Sequence, residues 1–224
     1  MSRTAAQDRE PLTRDRIVDA ALGIMDDEGL ESVTMRRVGR ELGVEAMSLY
    51  NHVKGKEDLL DAITERVMGT FRLPAQADDW REDARRTAQE WRRVLRLHPN
   101  VMRLMAERTK PMTNVESFRP MDHAIEVLRR AGLSDRDTVQ AFHAFGGYIF
   151  GFVLLEQGMM LGQPDEEEHR RGHEELGRLL GNGELPSLAA MIPHFIDCSS
   201  EEQFDFGLEM LIAGVAERAA GRRA

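Results

Sequence analysis

The chain has one cysteine in 224 residues, Cys198, so no disulfide bond can form within it. No stretch alternates apolar and polar residues in the way that a half-buried strand requires. These two absences favour an all-α protein that folds in a reducing compartment.

The sequence also lacks a secretory signal and a long hydrophobic run. Its first residues, MSRTAAQDREPLTRD, contain no apolar core. The longest apolar run, residues 144–155, is shorter than the roughly 20 residues that cross a bilayer, and it is rich in glycine. We therefore expect a soluble, cytoplasmic protein without a membrane partner.

The usual marks of an enzyme are missing as well. The sequence contains neither a phosphate-binding glycine loop nor a dinucleotide-binding fingerprint. His194 and Cys198 are four residues apart, but no third group is evident that would orient them for nucleophilic catalysis. We predict no enzymatic activity, no catalytic residue, no metal site and no cofactor.

Negative charge exceeds positive charge over the whole chain, which carries 30 basic against 39 acidic side chains and a formal net charge of −9. An acidic protein is not an obvious partner for a polyanion. Between Arg36 and Lys56, however, five residues are basic and two are acidic. Such a local positive segment permits binding to a defined DNA site, although it does not identify one.

This same segment has the pattern of two short helices joined by a tight turn. Thr34 is suited to cap the first helix, because its hydroxyl can accept a hydrogen bond from a free backbone amide of the first turn. Apolar residues follow at helical spacing: Met35, Val38 and Leu42. Gly43 stands where a left-handed residue ends that helix, and a second helix is predicted from Ala46 to His52. The pattern predicts a helix-turn-helix, which places its second helix in the DNA major groove.

A longer pattern surrounds this motif and resembles a known family. Residues 13–72, including TRDRIVDAALGIMDDEGLESVTMRRVGRELGVEAMSLYNHVKGKEDLL, are similar to the DNA-binding domain of the TetR (tetracycline repressor) family of transcriptional regulators. Three features carry the resemblance: a helix that ends in EG, the LGV of the turn, and SLYNHVKGKEDLL. The resemblance implies an N-terminal three-helix helix-turn-helix domain joined to a larger helical domain for effector binding and dimerisation.

The resemblance also implies roles for individual residues. Arg36 matches a position that reads a base or holds the DNA backbone. Ala46, Met47 and Ser48 match positions that face base edges. The remaining matches contact phosphates or adjacent bases: Tyr50, Asn51, His52 and Lys56. Leu49 and Val53, between them, are predicted to be core.

Beyond Arg72 the sequence again predicts helices only. We divide the chain into a flexible arm (1–12), a DNA-binding domain (13–72) and an effector-binding and dimerisation domain (73–224). The fourth helix is expected to close at Leu73-Pro74. The predicted C-terminal helices are Trp80–His98, Val101–Arg108, Phe118–Arg130, Asp135 to about Leu161, buried nearly all round, and Ser200–Ala220, capped by Ser200.

The resemblance implies a homodimer whose interface is built from two helices of each subunit. Candidate interface residues lie on the two longest C-terminal helices: Tyr148, Phe152, Leu155, Phe206, Met210 and Ala213. The alternative is that these side chains form core within one chain.

A small-molecule pocket is expected in the C-terminal domain. Its candidate lining is apolar and flexible: Met68, Trp91, Met102, Met105, Phe118, Met121, Phe142 and Phe145. The same stripes could be ordinary core. Residues 80–157, with FGFVLLEQ, resemble the tetracycline repressor itself, but Met68 and Ala106 replace its magnesium-binding histidines and only Glu156 remains. We therefore expect an apolar or aromatic effector and not tetracycline.

Together these features predict a homodimeric repressor that an effector releases from a palindromic double-stranded operator. The alternatives are an activator, a corepressor-dependent regulator, or a helical ligand-binding protein without DNA binding. The sequence does not indicate the operator, the target genes or the identity of the effector.

Overall fold

The computed structural model describes residues 11–107, 114–157, 166–179, 185–197 and 199–221, and these contain α-helices, two short 3₁₀ helices and no strand. The prediction of an all-α chain is confirmed. By packing, the chain forms two units, one of residues 1–71 and 97–119, the other of residues 72–96 and 120–224. The domain division at residue 72 stays a prediction, and the segment 97–119 packs with the first unit.

The first unit contains the N-terminal helices and one helix from later in the chain, which follows a segment of the second unit. Its elements are α1 (Arg14–Glu28), a 3₁₀ turn (Leu30–Ser32), α2 (Met35–Leu42), α3 (Ala46–Leu49), α4 (Lys56–Met68), α6 (Pro99–Glu107) and a second 3₁₀ turn (Val115–Phe118). The second unit contains α5 (Trp80–Leu97), α7 (Arg119–Arg130), α8 (Asp135–Glu156), α9 (Glu166–Leu179), α10 (Pro186–Asp197) and α11 (Ser200–Ala220).

Side-chain caps set several helix starts. The hydroxyl of Thr34 accepts the backbone N–H of Arg37 at 3.1 Å, as predicted for α2. Gly43 ends α2 with φ of +66°, the left-handed conformation that favours glycine. Ser134 caps α8 through the backbone N–H of Asp137, which also agrees with the sequence prediction.

The turn between α2 and α3 depends on a second glycine. Gly39 is buried, and its carbonyl accepts the backbone N–H of Val44 at 2.9 Å. A Cβ atom at position 39 would lie 3.0 Å from the carbonyl oxygen of Val44 and 3.2 Å from the amide nitrogen of Ala46. Both neighbours are backbone, so a larger residue would push α3 away from α2.

A buried ion pair joins three helices of the second unit. The guanidinium of Arg92 on α5 lies 2.6 Å from the carboxylate of Glu156 on α8, and their side chains are only 5% and 7% exposed. Ser200 on α11 donates its hydroxyl to the same carboxylate at 2.8 Å. Arg92 also lies over the ring of Phe204, 4.5 Å from its centre.

The structure corrects four expectations about helix ends and burial. The recognition helix ends at Leu49, because Tyr50, Asn51 and His52 continue in tighter turns with i−3 hydrogen bonds. The fourth helix ends at Met68 and not at Leu73-Pro74.

The other two corrections concern the C-terminal helices. Ser199, and not Ser200, caps α11, because it exchanges reciprocal hydrogen bonds with Glu202. Helix α8 is not buried all round: its buried residues follow one face, while Val139 and Leu154 are 50% and 64% exposed. The predicted end of this helix near Leu161 lies outside the described residues.

Helix α8 is the one described helix whose length and composition would also suit a membrane span, with a mean hydropathy of 1.4 over 18 residues. This is weak evidence, since an apolar helix of a soluble protein meets the same criterion. The helix is longer than the apolar run 144–155 considered from the sequence.

We predict that Gly39→Ala destabilises the protein by roughly 1–3 kcal/mol, because the added methyl group meets backbone atoms that cannot turn aside. Urea unfolding would measure the loss. Gly23→Ala is the matched control on α1, where no atom lies within 4 Å of the new Cβ. There we expect a gain of about 0.5–1 kcal/mol from helix propensity. Equal effects at both positions would contradict the close approach at Gly39.

Candidate DNA-reading helix and ligand cavity

Helix α3 has a buried face and an exposed face. Leu49 is fully buried and Val53 is 1% exposed, which confirms that both are core. Met47 and Tyr50 are 72% and 47% exposed, although both are large and partly apolar. Single exposed apolar side chains are common on protein surfaces, so their exposure alone does not mark a binding site. What suits this face to recognition is its position on the second helix of a helix-turn-helix, the element that enters the major groove.

The other predicted DNA-contacting residues differ in exposure. Asn51 and Lys56 are exposed, and Ala46, Ser48 and His52 are half-buried. Arg36 on α2 is exposed and forms no ion pair with any part of the chain that the structure describes. Its neighbour Arg37 is engaged internally, since it binds Glu28 and Glu41. The two adjacent arginines therefore differ: Arg36 is available to DNA, whereas Arg37 holds the unit together.

One carboxylate fixes the segment that follows α3. Asp58 on α4 accepts two hydrogen bonds from the guanidinium of Arg14, both at 2.9 Å, and one from the backbone N–H of Lys54 at 2.8 Å. Arg14 also donates to the carbonyl of His52 at 3.1 Å. The Arg14 guanidinium lowers the pKa of Asp58 to about 2, against the opposing effect of burial. This cluster orients the backbone at His52 and Lys54 without using any of the side chains predicted to contact DNA.

Helix α6 is attached to α1 by polar contacts within the first unit. The Nδ1 atom of His98, just before α6, lies 2.8 Å from a carboxylate oxygen of Asp26, and the amide of Asn100 donates to the carbonyl of Met25 at 2.8 Å. Burial raises the pKa of Asp26, although the hydrogen bond from His98 works in the opposite direction.

The second unit contains an apolar cavity of about 530 Å³, part of which opens to solvent. That figure includes open solvent at the mouth, so the apolar lining, and not the volume, is what suits the cavity to an apolar ligand. Helices α5, α7 and α8 form its wall: Ala84, Thr87, Ala88, Trp91, Ala124, Val127, Leu128, Phe142, Phe145, Gly146, Ile149 and Phe150. None of these described lining residues carries a charge.

Three of the predicted pocket residues line this cavity: Trp91, Phe142 and Phe145. Met121 is half-buried on α7 and is not among the lining residues. The other four lie in the first unit: Met68 and Met102 in its core, Met105 half-buried on α6, and Phe118 37% exposed.

The sequence reasoning missed the small residues of the wall. Ala84, Thr87, Ala88 and Trp91 follow one another at helical spacing, so they share one face of α5. That spacing is the signal in the sequence, and it is carried by small residues and one tryptophan, not by methionines.

The carboxylate of Glu156 is already paired with the guanidinium of Arg92. Burial disfavours its charged form, but the hydrogen bonds from Arg92 and Ser200 prevail and hold its pKa below the usual value. Within the described residues no three histidine, cysteine or carboxylate side chains group as a metal site would require.

Helices α8 and α11 leave apolar side chains exposed within the single chain. Leu155, Phe206 and Met210 are 47%, 71% and 63% exposed, and Ala213 is exposed as well. The other two predicted interface residues pack inside the unit. Tyr148 is half-buried and donates its hydroxyl to the carbonyl of Phe204 at 2.7 Å. Phe152 is 8% exposed, and its ring packs edge-on against the ring of Phe204.

An exposed recognition helix on a helix-turn-helix, together with an apolar cavity in a separate helical unit, defines a ligand-responsive DNA-binding regulator. Comparison with known proteins agrees. Residues 17–63 match the family of bacterial regulatory proteins of the TetR type, and residues 73–219 match the tetracyclin repressor-like C-terminal domain.

Individual relatives extend over nearly the whole chain. The repressor DrrR1 of Streptomyces coeruleorubidus is 33% identical, over 95% of this chain and 80% of its own length. The class A tetracycline repressor of Escherichia coli is 30% identical, over 90% and 89%. The structure of ActR from Streptomyces coelicolor in complex with actinorhodin is 27% identical, with a TM-score of 0.76 over 93% of this chain and 99% of ActR.

The chain therefore belongs to the TetR family. It is a ligand-responsive, DNA-binding transcriptional repressor and not an enzyme. Regulators of this family are soluble dimers that bind operator DNA and small-molecule effectors.

The Asp58 cluster predicts an acid-sensitive contribution to stability. Because its pKa is lowered in the folded state, the charged carboxylate contributes fully above its unfolded value near 4, and this contribution is lost as the pH falls towards 2. We expect Asp58→Asn to cost roughly 1 kcal/mol at pH 7, after screening by solvent, and progressively less below pH 4. Urea unfolding from pH 7 to pH 2.5 measures this difference, and a difference that stays constant with pH would contradict it.

Proposed function

We propose that this protein is a cytoplasmic homodimer that represses transcription from a palindromic operator and leaves it when an apolar or aromatic effector occupies the cavity between α5, α7 and α8. The observation that carries the proposal is the presence of both an exposed face on α3 and an uncharged apolar cavity in the other unit. The residues proposed for each role follow from their exposure and their neighbours.

The DNA contacts are assigned to the outer face of α3 and its flanks. Met47 would reach base edges, where it can make only apolar contacts such as those with a thymine methyl group. Ala46 and Ser48 flank it at the start of the helix. Tyr50, Asn51, His52 and Lys56 would bind phosphates or adjacent bases, with Arg36 contributing from α2. This arrangement concentrates positive charge locally on an acidic chain, which favours a defined site over non-specific binding.

The dimer is assigned to the exposed apolar face of α8 and α11. Leu155, Phe206, Met210 and Ala213 would be covered by the same residues of a second copy, since a two-fold interface uses one patch twice. Tyr148 and Phe152 would not contact the second copy; they would support the interface by holding α8 and α11 together within each chain.

The effector is assigned to the cavity, and its signal to helix α5. Trp91 on α5 lines the cavity, and the same helix leads directly into His98 and α6. Because His98 and Asn100 bind α1, a shift of α5 would be passed to the DNA-binding unit. An effector that binds the DNA-incompetent conformation more tightly by about 1–3 kcal/mol would suffice for a typical response.

Selection of binding sites from random duplex DNA tests the proposal directly. We expect a palindrome whose half-sites are centred roughly 34–36 Å apart, bound with a steep dependence on salt. A protein that is folded and dimeric yet enriches no sequence would contradict it. Binding that appears only after an aromatic probe is added would indicate a corepressor instead.

Two substitutions should weaken operator binding in different ways. Tyr50→Ala removes an uncharged contact, so we expect a loss of about 1–2 kcal/mol with an unchanged salt slope. Lys56→Ala removes a phosphate contact, so the slope of log affinity against log salt concentration should become less steep by about one. Gel-shift titrations at several salt concentrations separate the two. Val115→Ala, at a 78% exposed site of the same unit, is the control. Wild-type affinity for Tyr50→Ala would remove this tyrosine from the interface.

Filling the cavity should abolish effector binding. Gly146 lines it, and a Cβ atom there meets nothing within 4 Å, so Gly146→Leu can place its side chain in the empty space. With the neutral fluorescent probe N-phenyl-1-naphthylamine, we expect wild-type binding and at least a tenfold loss in the variant. Gly147→Ala, on the exposed side of α8, should bind the probe normally. Normal binding by Gly146→Leu would show that the probe binds elsewhere.

A further inference from the structure

One hydroxyl in the cavity wall is buried without a partner. Thr87 on α5 is 7% exposed and lines the cavity, and its Oγ1 atom is shielded from water with no hydrogen-bond partner among the described residues. A buried hydroxyl without a partner is unfavourable, and native proteins retain few of them.

Another buried helical threonine of the same chain shows the usual arrangement. Thr64 on α4 is fully buried, and its hydroxyl donates to the carbonyl of Leu60, four residues earlier, at 3.0 Å. The corresponding bond from Thr87 to the carbonyl of Asp83 is absent from the described contacts. The hydroxyl of Thr87 thus retains its hydrogen-bonding capacity, whereas that of Thr64 has used it.

The rest of the cavity wall makes this hydroxyl distinctive. The other lining residues are aliphatic or glycine, apart from four aromatic rings, those of Trp91, Phe142, Phe145 and Phe150. The rings of Trp91 and Phe150 lie 6.4 Å apart at 40°. No other lining residue brings a hydroxyl, an amide or a charge, although Trp91 adds an indole N–H, which can donate but not accept a hydrogen bond. A threonine in a helix divides between two χ1 rotamers, so one rotation exchanges its methyl group and its hydroxyl.

We propose that Thr87 is the specificity-determining residue of the cavity, and that it selects an uncharged aromatic effector carrying a carbonyl or phenolic oxygen on its ring edge. This inference rests on the proposed assignment of the cavity to the effector. The rings contact the faces of the ligand, and the hydroxyl donates to, or accepts from, its single polar group. Charged ligands are disfavoured, since no described lining residue could pair with them.

The role of Thr87 is tested by comparing how wild-type and variant proteins bind two probes of the same shape. The probes are 9-fluorenone, which has a ring carbonyl, and fluorene, which has a methylene group in the same place. The ratio of their dissociation constants is measured by displacement of N-phenyl-1-naphthylamine. In Thr87→Val the carbonyl is buried without a donor, so we expect the preference for fluorenone to fall by roughly 5- to 100-fold relative to wild type. Thr87→Ser keeps the hydroxyl and should keep the preference.

Thr138→Val is the matched control, because Thr138 is also buried with an unpartnered Oγ1 but is not among the cavity-lining residues. Both valine variants should raise the unfolding midpoint, since each removes an unsatisfied hydroxyl, but only Thr87→Val should change the probe ratio. An unchanged ratio in Thr87→Val, with the naphthylamine probe still bound, would overturn the role of Thr87 and leave the cavity assignment intact. Binding of none of the three probes by the wild-type protein would overturn both.

Discussion

Helix α3, which we propose contacts DNA, is a single turn. A helix this short is not stable by itself, because forming the first turn costs more than its one hydrogen bond returns. It exists only because its surroundings hold it. Leu49 anchors its inner face, and Gly39 lets α2 approach within contact of the turn. Arg14, through Asp58 and the carbonyl of His52, fixes the chain that leaves it. The residues that position the DNA-facing surface are therefore not those that would touch DNA.

In the second unit, likewise, the residues that hold the helices together are not those that line the cavity. The part of α5 that lines the cavity runs from Ala84 to Trp91, and an ion pair lies at each end of it. Asp83 binds Arg130 of α7, and Arg92 binds Glu156 of α8. Loss of one partner from such a buried pair would leave a charge without compensation, at about 3–5 kcal/mol. Because these pairs tie the cavity walls together at its two ends, the space between them can remain open and apolar.

The local features of the sequence predicted local structure well. Thr34 and Ser134 cap helices and Gly43 adopts a left-handed conformation, as their residue types and positions indicated. The sequence predictions were less accurate for features that depend on contacts between distant segments of the chain. Ser200 has the residue type of a cap, but its hydroxyl is used by Glu156, and the neighbouring Ser199 caps α11. Helix α8 is apolar throughout, yet only one of its faces is covered within the chain.

The sequence by itself determined the all-α class, the helix-turn-helix and the TetR resemblance, because caps, helical spacing and motif residues are properties of neighbouring positions. Only the tertiary structure decided which apolar residues enclose a cavity. Methionines at 68 and 102 have the composition of a pocket but fill a core, whereas the small residues Ala84 and Ala88 leave space beside Trp91. Empty space depends on how far apart packed helices stand, and that distance is set by contacts between segments far apart in the chain.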